Sequence, residues 1–326
     1  MRRSLAVLVA TATLLPAAPA LGEPNDVSLV LLGSPSPAVW QQPPFGLAPA
    51  DAQQQAADAR QRFAILSAQM GLALTSLLLE PAHTTGLAGL EIGLDFGYAP
   101  VGAGDVGAPP PPYVANPWPT SGPPPSSLLL PALHVRKGLP WSFEIGGRLL
   151  YVVQSTMVAA QFELKWALTE GIRYLPDLAV RGAATFLFGA SQWNLAVYEG
   201  DLILGKRFGV GGVMELTPYG AVRLSWVSGS SAPINFGDPT PTSAPPQDAY
   251  ATVAAFPGMS LGTNHFWRYT LGLRGGIAVV VLAAECTWFP GRTVTGSSPS
   301  EMGATGYPTY TVPASWSFAG NVGFAF

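Results

Sequence analysis

The chain has 326 residues, of which 11% are charged, against roughly a quarter in ordinary globular domains. Gly and Pro supply 37 and 33 residues, yet 48% of the chain is hydrophobic, too apolar for a disordered polymer. Beyond residue 22 no run approaches the ~20 consecutive apolar residues of a helical span, and a net charge of −3 offers no basic face to nucleic acid. What remains is a turn-rich, all-β chain.

Residues 1–22 open with Arg2 and Arg3, continue as an apolar run from Leu5 to Leu15, and reach Ala18-Pro19-Ala20 before polar Glu23, Pro24, Asn25 and Asp26. That is the charged, apolar and small-x-small order of a secretory signal peptide. The expected division is a signal peptide over 1–20, a linker plus helix over 21–85, and the β domain over 86–326. The Pro-rich stretch 23–48 reads as a periplasmic linker. Residues 50–80 are rich in helix formers, and Phe63, Leu66, Met70, Leu74 and Leu77 recur at three- and four-residue spacing, which predicts an amphipathic helix stopped by Pro81.

From Gly86 onward the period falls from near 3.6 to 2. Glu91-Ile92-Gly93-Leu94-Asp95-Phe96-Gly97-Tyr98 alternates small or polar residues with large apolar ones, as do 142–149 and 159–166. Such strands have one apolar and one polar face. With Gly, Ala, Ser and Gln on the polar faces, the pattern predicts a transmembrane antiparallel up-and-down barrel, apolar towards lipid and polar towards a lumen. Ten strands are placed, at 86–98, 127–136, 141–153, 157–168, 177–189, 193–206, 213–227, 249–262, 265–289 and 314–326. The long 265–289 segment is read as one long, bulged strand, with Gly275-Gly276 as the place for a bulge or turn; twelve strands is the alternative count. With both termini periplasmic, the long loops 99–126, 228–248 and 290–313 fall outside. Trp141, Trp166, Trp193, Trp226, Trp267, Trp288 and Trp316 stand near strand ends, where interfacial girdles need them.

The polar faces place Glu91, Asp95, Glu144, Arg148, Glu163, Lys165, Arg181, Arg223 and Arg274 as lumen-lining candidates, with Asp177, Glu215, Arg268 and Glu285 on the same faces. Acids and bases are nearly balanced, so in a narrow barrel they would pair across the lumen. A single cysteine, Cys286, excludes disulfides within one chain. His83, His134 and His265 have no paired-ligand spacing, and no acid or nucleophile stands at a suggestive distance from His134 or His265. No metal, cofactor or enzymatic activity is expected.

The last strand alternates large apolar residues back from the terminus: Trp316, Phe318, Val322, Phe324 and Phe326. It resembles the C-terminal targeting strand of Gram-negative outer-membrane β-barrel proteins. The resemblance implies a bacterial outer-membrane location, contact with outer-membrane lipid, and recognition of those five residues by the barrel assembly machinery. The functional expectation is a small porin-like channel for passive transport of ions or small solutes. The alternatives are a closed structural or adhesion barrel, and a receptor acting through its long loops, where Tyr113, Trp118 and Phe236 are the aromatic candidates.

Overall fold

The computed structural model describes residues 23–41, 45–102, 118–120, 123–172, 174–236, 253–259, 261–295 and 309–326. Two helices come first, α1 (Pro37–Gln41) and α2 (Pro49–Leu74). Ten long strands follow: β1 (Leu90–Pro100), β2 (Ser127–Leu139), β3 (Phe143–Tyr151), β4 (Val158–Thr169), β5 (Asp177–Phe188), β6 (Trp193–Gly205), β7 (Met214–Ser231), β8 (His265–Ile277), β9 (Val280–Phe289) and β10 (Ser315–Ala325). Each is antiparallel to its neighbours in sequence, and β1 also pairs with β10, Glu91 opposite Ala325 and Tyr98 opposite Phe318. The sheet is therefore closed and has no free edge. The seam is zipped to its end, with Phe326 N–H donating to Leu90 O at 2.8 Å and Leu90 N–H to Phe326 O at 3.0 Å.

Side-chain parity is that of an inverted barrel. On β1, Ile92, Leu94, Phe96 and Tyr98 face outward and are exposed, whereas Glu91, Gly93, Asp95 and Gly97 are buried. The same holds for Leu133 and Val135 outside against His134 and Arg136 inside on β2, and for Leu202 and Leu204 against Glu199 and Asp201 on β6. Water would not tolerate such an apolar outer wall around a charged interior; a bilayer requires it. An 11-residue strand such as β1, tilted as barrel strands are, rises roughly 25–28 Å, enough to cross the hydrocarbon. Tyr269 and Trp288 lie 5.7 Å apart, centroid to centroid, and Trp288 and Trp316 6.0 Å apart, an aromatic row across β8, β9 and β10. Trp193 does not belong to a girdle, because its side chain is buried on the inner side.

Ten strands are reached by a different route from the sequence expectation. Residues 249–262 supply no wall strand: of their described part, Val253–Ala254 pair only with Ile234–Asn235, outside the barrel. The segment 265–289 instead divides into β8 and β9 at Ala278-Val279, where Ala278 takes a left-handed φ of 53°. Gly275 and Gly276 stay in register opposite Leu282 and Val281, so they form no bulge there. The two differences cancel in the count. They also leave the three long connections, 101–126, 232–264 and 290–314, together at one end, here the loop end. The short turns 140–142, 170–176, 206–213 and 278–279 lie at the other, the turn end. His265 starts β8 at the loop end.

The helix is also displaced from expectation. It spans Pro49–Leu74 rather than 50–80, and Thr75 Oγ1 bonds back to Gly71 O at 2.8 Å at its end. From Phe63 to Leu74 nearly every position is buried, so this half is surrounded rather than amphipathic. Of residues 23–48, the described stretch 23–41 is anchored through its first residues. Asn25 N–H donates to Gln154 O at 2.8 Å and Ser28 N–H to Pro119 O at 2.9 Å, which fixes this segment at the loop end.

Candidate functional site

The site is the barrel interior, and its centre is the chain itself. After Leu74 the backbone leaves the helix and runs through the lumen as an irregular segment, 75–85, before Gly86–Gly89 lead into β1 at the turn end. Outside a helix or sheet, each peptide group of this segment needs another partner. The inward charges of the wall supply them, which is why the helix stops short of Pro81.

Arg223 Nη2 and Arg268 Nη1 both donate to Thr75 O, at 2.8 and 2.7 Å. Below them, Arg148 Nη1 donates to Leu77 O at 2.9 Å and Arg136 Nη2 to Leu78 O at 3.1 Å. Glu285 accepts two successive amides, Leu78 N–H on Oε1 and Leu79 N–H on Oε2, each at 2.7 Å. Paired amides of this kind make a small anion cradle, and Leu79 takes a left-handed φ of 53° to form it. Tyr219 Oη donates to the same carboxylate at 3.0 Å. Lys165 Nζ reaches His83 O at 3.1 Å, and Glu144 accepts Thr85 N–H at 2.7 Å.

One charge travels with the segment. Glu80 lies 2.9 Å from Lys165 Nζ, 2.9 Å from Arg181 Nε and 3.6 Å from Arg136 Nε. The wall charges pair in turn: Arg136 and Arg181 with Glu163 at 3.0 and 3.1 Å, Lys165 with Glu144 at 2.7 Å, Arg148 with Asp95 at 2.7 Å, and Arg274 with Glu91 at 2.5 Å. Arg223 and Arg268 share Glu199, and Arg181 is bonded to Asp201. All nine lumen candidates from the sequence therefore face inward and belong to one network. Of the four others, Asp177 and Glu285 are buried and Arg268 joins Glu199, whereas Glu215 stands half-exposed at the turn-end mouth.

Glu80, His134, Arg136, Glu199 and Asp201 were missed. The last four carry the parity signal that revealed the others, alternating with Leu133, Val135, Tyr198 and Leu202. Glu80 carries no strand parity and was absorbed into the predicted helix. His134 also departs from expectation: its Nδ1 is 2.9 Å from Asp95 Oδ1 and its Nε2 3.4 Å from Glu91 Oε1. The pair of acids makes it part of the buried network.

At the loop end the upper helix is roofed by apolar packing. Phe63 stacks on Phe256 at 4.6 Å, and Leu29, Leu32, Val39, Trp118, Ile234, Phe236 and Phe289 join the same cluster. Trp118 and Phe236, the expected loop aromatics, are buried in this roof, so neither is presented to a ligand; Tyr113 lies outside the described residues. The turn-end mouth holds a cavity of about 700 Å³ lined by His83, Thr84, Arg207, Glu215 and Arg274 among others. Among the described residues no cluster of three or more His, Cys, Asp or Glu side chains is arranged to hold a metal ion. The five residues of the C-terminal row, Trp316, Phe318, Val322, Phe324 and Phe326, all face outward and are exposed.

Fold and interior together define a closed ten-stranded transmembrane β-barrel filled by its own N-terminal chain. No protein-family model matches the sequence, and no curated relative is detectable. Among solved structures it is similar to the outer membrane protein OprG from Pseudomonas aeruginosa, with 9% identity, 76% of this chain and 99% of that chain covered, and a TM-score of 0.29. It is also similar to Ail, the attachment invasion locus protein of Yersinia pestis, with 9% identity, 73% and 97% covered, and a TM-score of 0.24. At those scores the assignment rests on the strand pairing and the inverted polarity of the wall.

Proposed function

We propose that this is a bacterial outer-membrane barrel held shut by its own chain, a structural barrel whose outward business lies at the loop end. The signal-peptide pattern of residues 1–20 and the outward row ending at Phe326 support that location and an assembly signal read by the barrel assembly machinery. The observation that carries the closed reading is the convergence of Arg136, Arg148, Arg223, Arg268 and Glu285 on the backbone of residues 75–79. Charged groups spent on the chain are not available to a passing ion, and the same clamp closes the path. The test is planar-bilayer conductance of the folded protein with residues 23–85 in place. Silence is expected; steady stepwise conductance would overturn the closed barrel and restore the porin-like channel.

A second reading is a plugged channel for small solutes. The cavity of about 700 Å³ at the turn-end mouth favours it, because a solute could enter there as far as His83. Brief voltage-dependent openings, in place of silence, would bring this reading forward.

A further inference from the structure

We propose that the barrel carries its own N-terminal segment across the membrane through its lumen, so that the described residues 23–41 and 45–62 are displayed at the cell surface. The proposal rests on the outer-membrane reading, with long loops outside, for the direction of crossing. The crossing itself rests on geometry.

The two ends of the crossing are fixed independently. At the turn end, Gly138 N–H donates to Gly89 O at 3.1 Å, and Leu90 is zipped to Phe326. At the loop end, Asn25 Nδ2 donates to Val153 O at 2.8 Å, and Asp26 Oδ1 accepts Thr156 N–H at 2.7 Å. Between them the chain touches the inner wall level by level. A Cβ on Gly229 would come 2.7 Å from Ser67 Oγ, and one on Gly71 would come 2.7 Å from Val227 Cγ2. Thr75 then meets Arg223, Leu77 meets Arg148, Glu80 meets Lys165, and Thr85 meets Glu144.

Because β1 to β10 form a closed sheet, the segment has no lateral way round the wall. An outside route would strand its unpaired peptide groups in hydrocarbon, which costs several kcal/mol for each such group. A chain that enters the wall at the turn end and packs its N-terminal portion at the loop end has therefore passed through the lumen. Small residues permit the fit: Gly71 lies against Val227 and Val197 of the wall, and Gly229 of the wall lies against Ser67 of the helix. The function added by this threading is delivery and tethering. The apolar roof of Leu29, Leu32 and Val39 against Phe236 and Phe289 then holds the delivered segment in place.

The test uses the full chain with Cys286→Ser as background and one new cysteine at a time: Leu31→Cys in the N-terminal segment, Gln154→Cys at the loop end, and Tyr174→Cys at the turn end. All three positions are exposed. Intact cells and cells with a permeabilised outer membrane are treated with a membrane-impermeant maleimide, and only heat-modifiable, folded protein is scored. The proposal expects Leu31→Cys and Gln154→Cys to label equally in intact cells and Tyr174→Cys only after permeabilisation. If Leu31→Cys labels with Tyr174→Cys instead, the threading is overturned. If Tyr174→Cys labels in intact cells while Leu31→Cys and Gln154→Cys do not, the orientation fails and surface display with it, although the threading stands.

Discussion

Glu80 is the residue on which the interior turns, because it is the charge that the luminal segment brings to the wall. Three cations lie within 3.6 Å of it, yet each keeps another acid when Glu80 is neutralised: Lys165 has Glu144, Arg181 has Asp201 and Glu163, and Arg136 has Glu163 and Glu91. The expected cost of Glu80→Gln is therefore about 2–3 kcal/mol, the range of one charged hydrogen bond rather than a stranded buried pair. The check is the midpoint of heat-dependent unfolding in detergent. The same variant is expected to stay silent in bilayers, since the bonds of Arg148, Arg223, Arg268 and Glu285 to residues 75–79 do not involve Glu80. An unchanged midpoint, or a leaking barrel, would show that the network has been misjudged.

At the scale of elements, α2 sets helix propensity against space. Replacing a helical Gly by Ala ordinarily gains about 1 kcal/mol. At Gly71, however, a Cβ would lie 2.7 and 3.0 Å from the two methyls of Val227 and 3.2 Å from Val197 Cγ2. Valine is stiff at χ1, so the wall has little means of yielding. Overpacking typically costs 1–3 kcal/mol, and a net loss of about 1 kcal/mol is expected for Gly71→Ala. Thermal unfolding beside a Gly46→Ala control would read it; Gly46 has nothing near its Cβ position but takes a φ of 58°, so its loss is purely one of backbone strain. Stabilisation by Gly71→Ala would mean that the helix is not seated between β6 and β7.

The strands were legible because alternation is a local property: Ile92, Leu94, Phe96 and Tyr98 announce an outward face without knowledge of any partner. The same alternation marked Glu91 and Asp95 as inward. What local patterning does not carry is where a chain goes between elements. The helix end at Leu74 is dictated by groups more than a hundred residues away, such as Arg223 and Glu285, that take the peptide bonds a helix would have kept. The partners of His134 escaped for the same reason, since Asp95 is 39 residues distant and meets it only across the β1–β2 pairing. The turn at Ala278-Val279 was hidden by apolar residues on both sides, and Gly275-Gly276 drew the break three residues too early.

For the whole molecule, the central claim is that residues 75–85 are a fixed part of the barrel, held by the wall along the lumen. Their amides are the most direct witnesses. Leu78 and Leu79 N–H are each bonded to Glu285 at 2.7 Å and buried, whereas Leu87, just beyond the segment, is 67% exposed. Amide hydrogen exchange of the folded protein in detergent or nanodiscs separates the two, because exchange reports local opening. The account predicts that Leu78 and Leu79 exchange as slowly as the amides of the β1–β10 seam, and that Leu87 exchanges early. Exchange of residues 75–85 at the rate of Leu87, with the seam still protected, would contradict it: the lumen would then hold a loose strand in place of a plug.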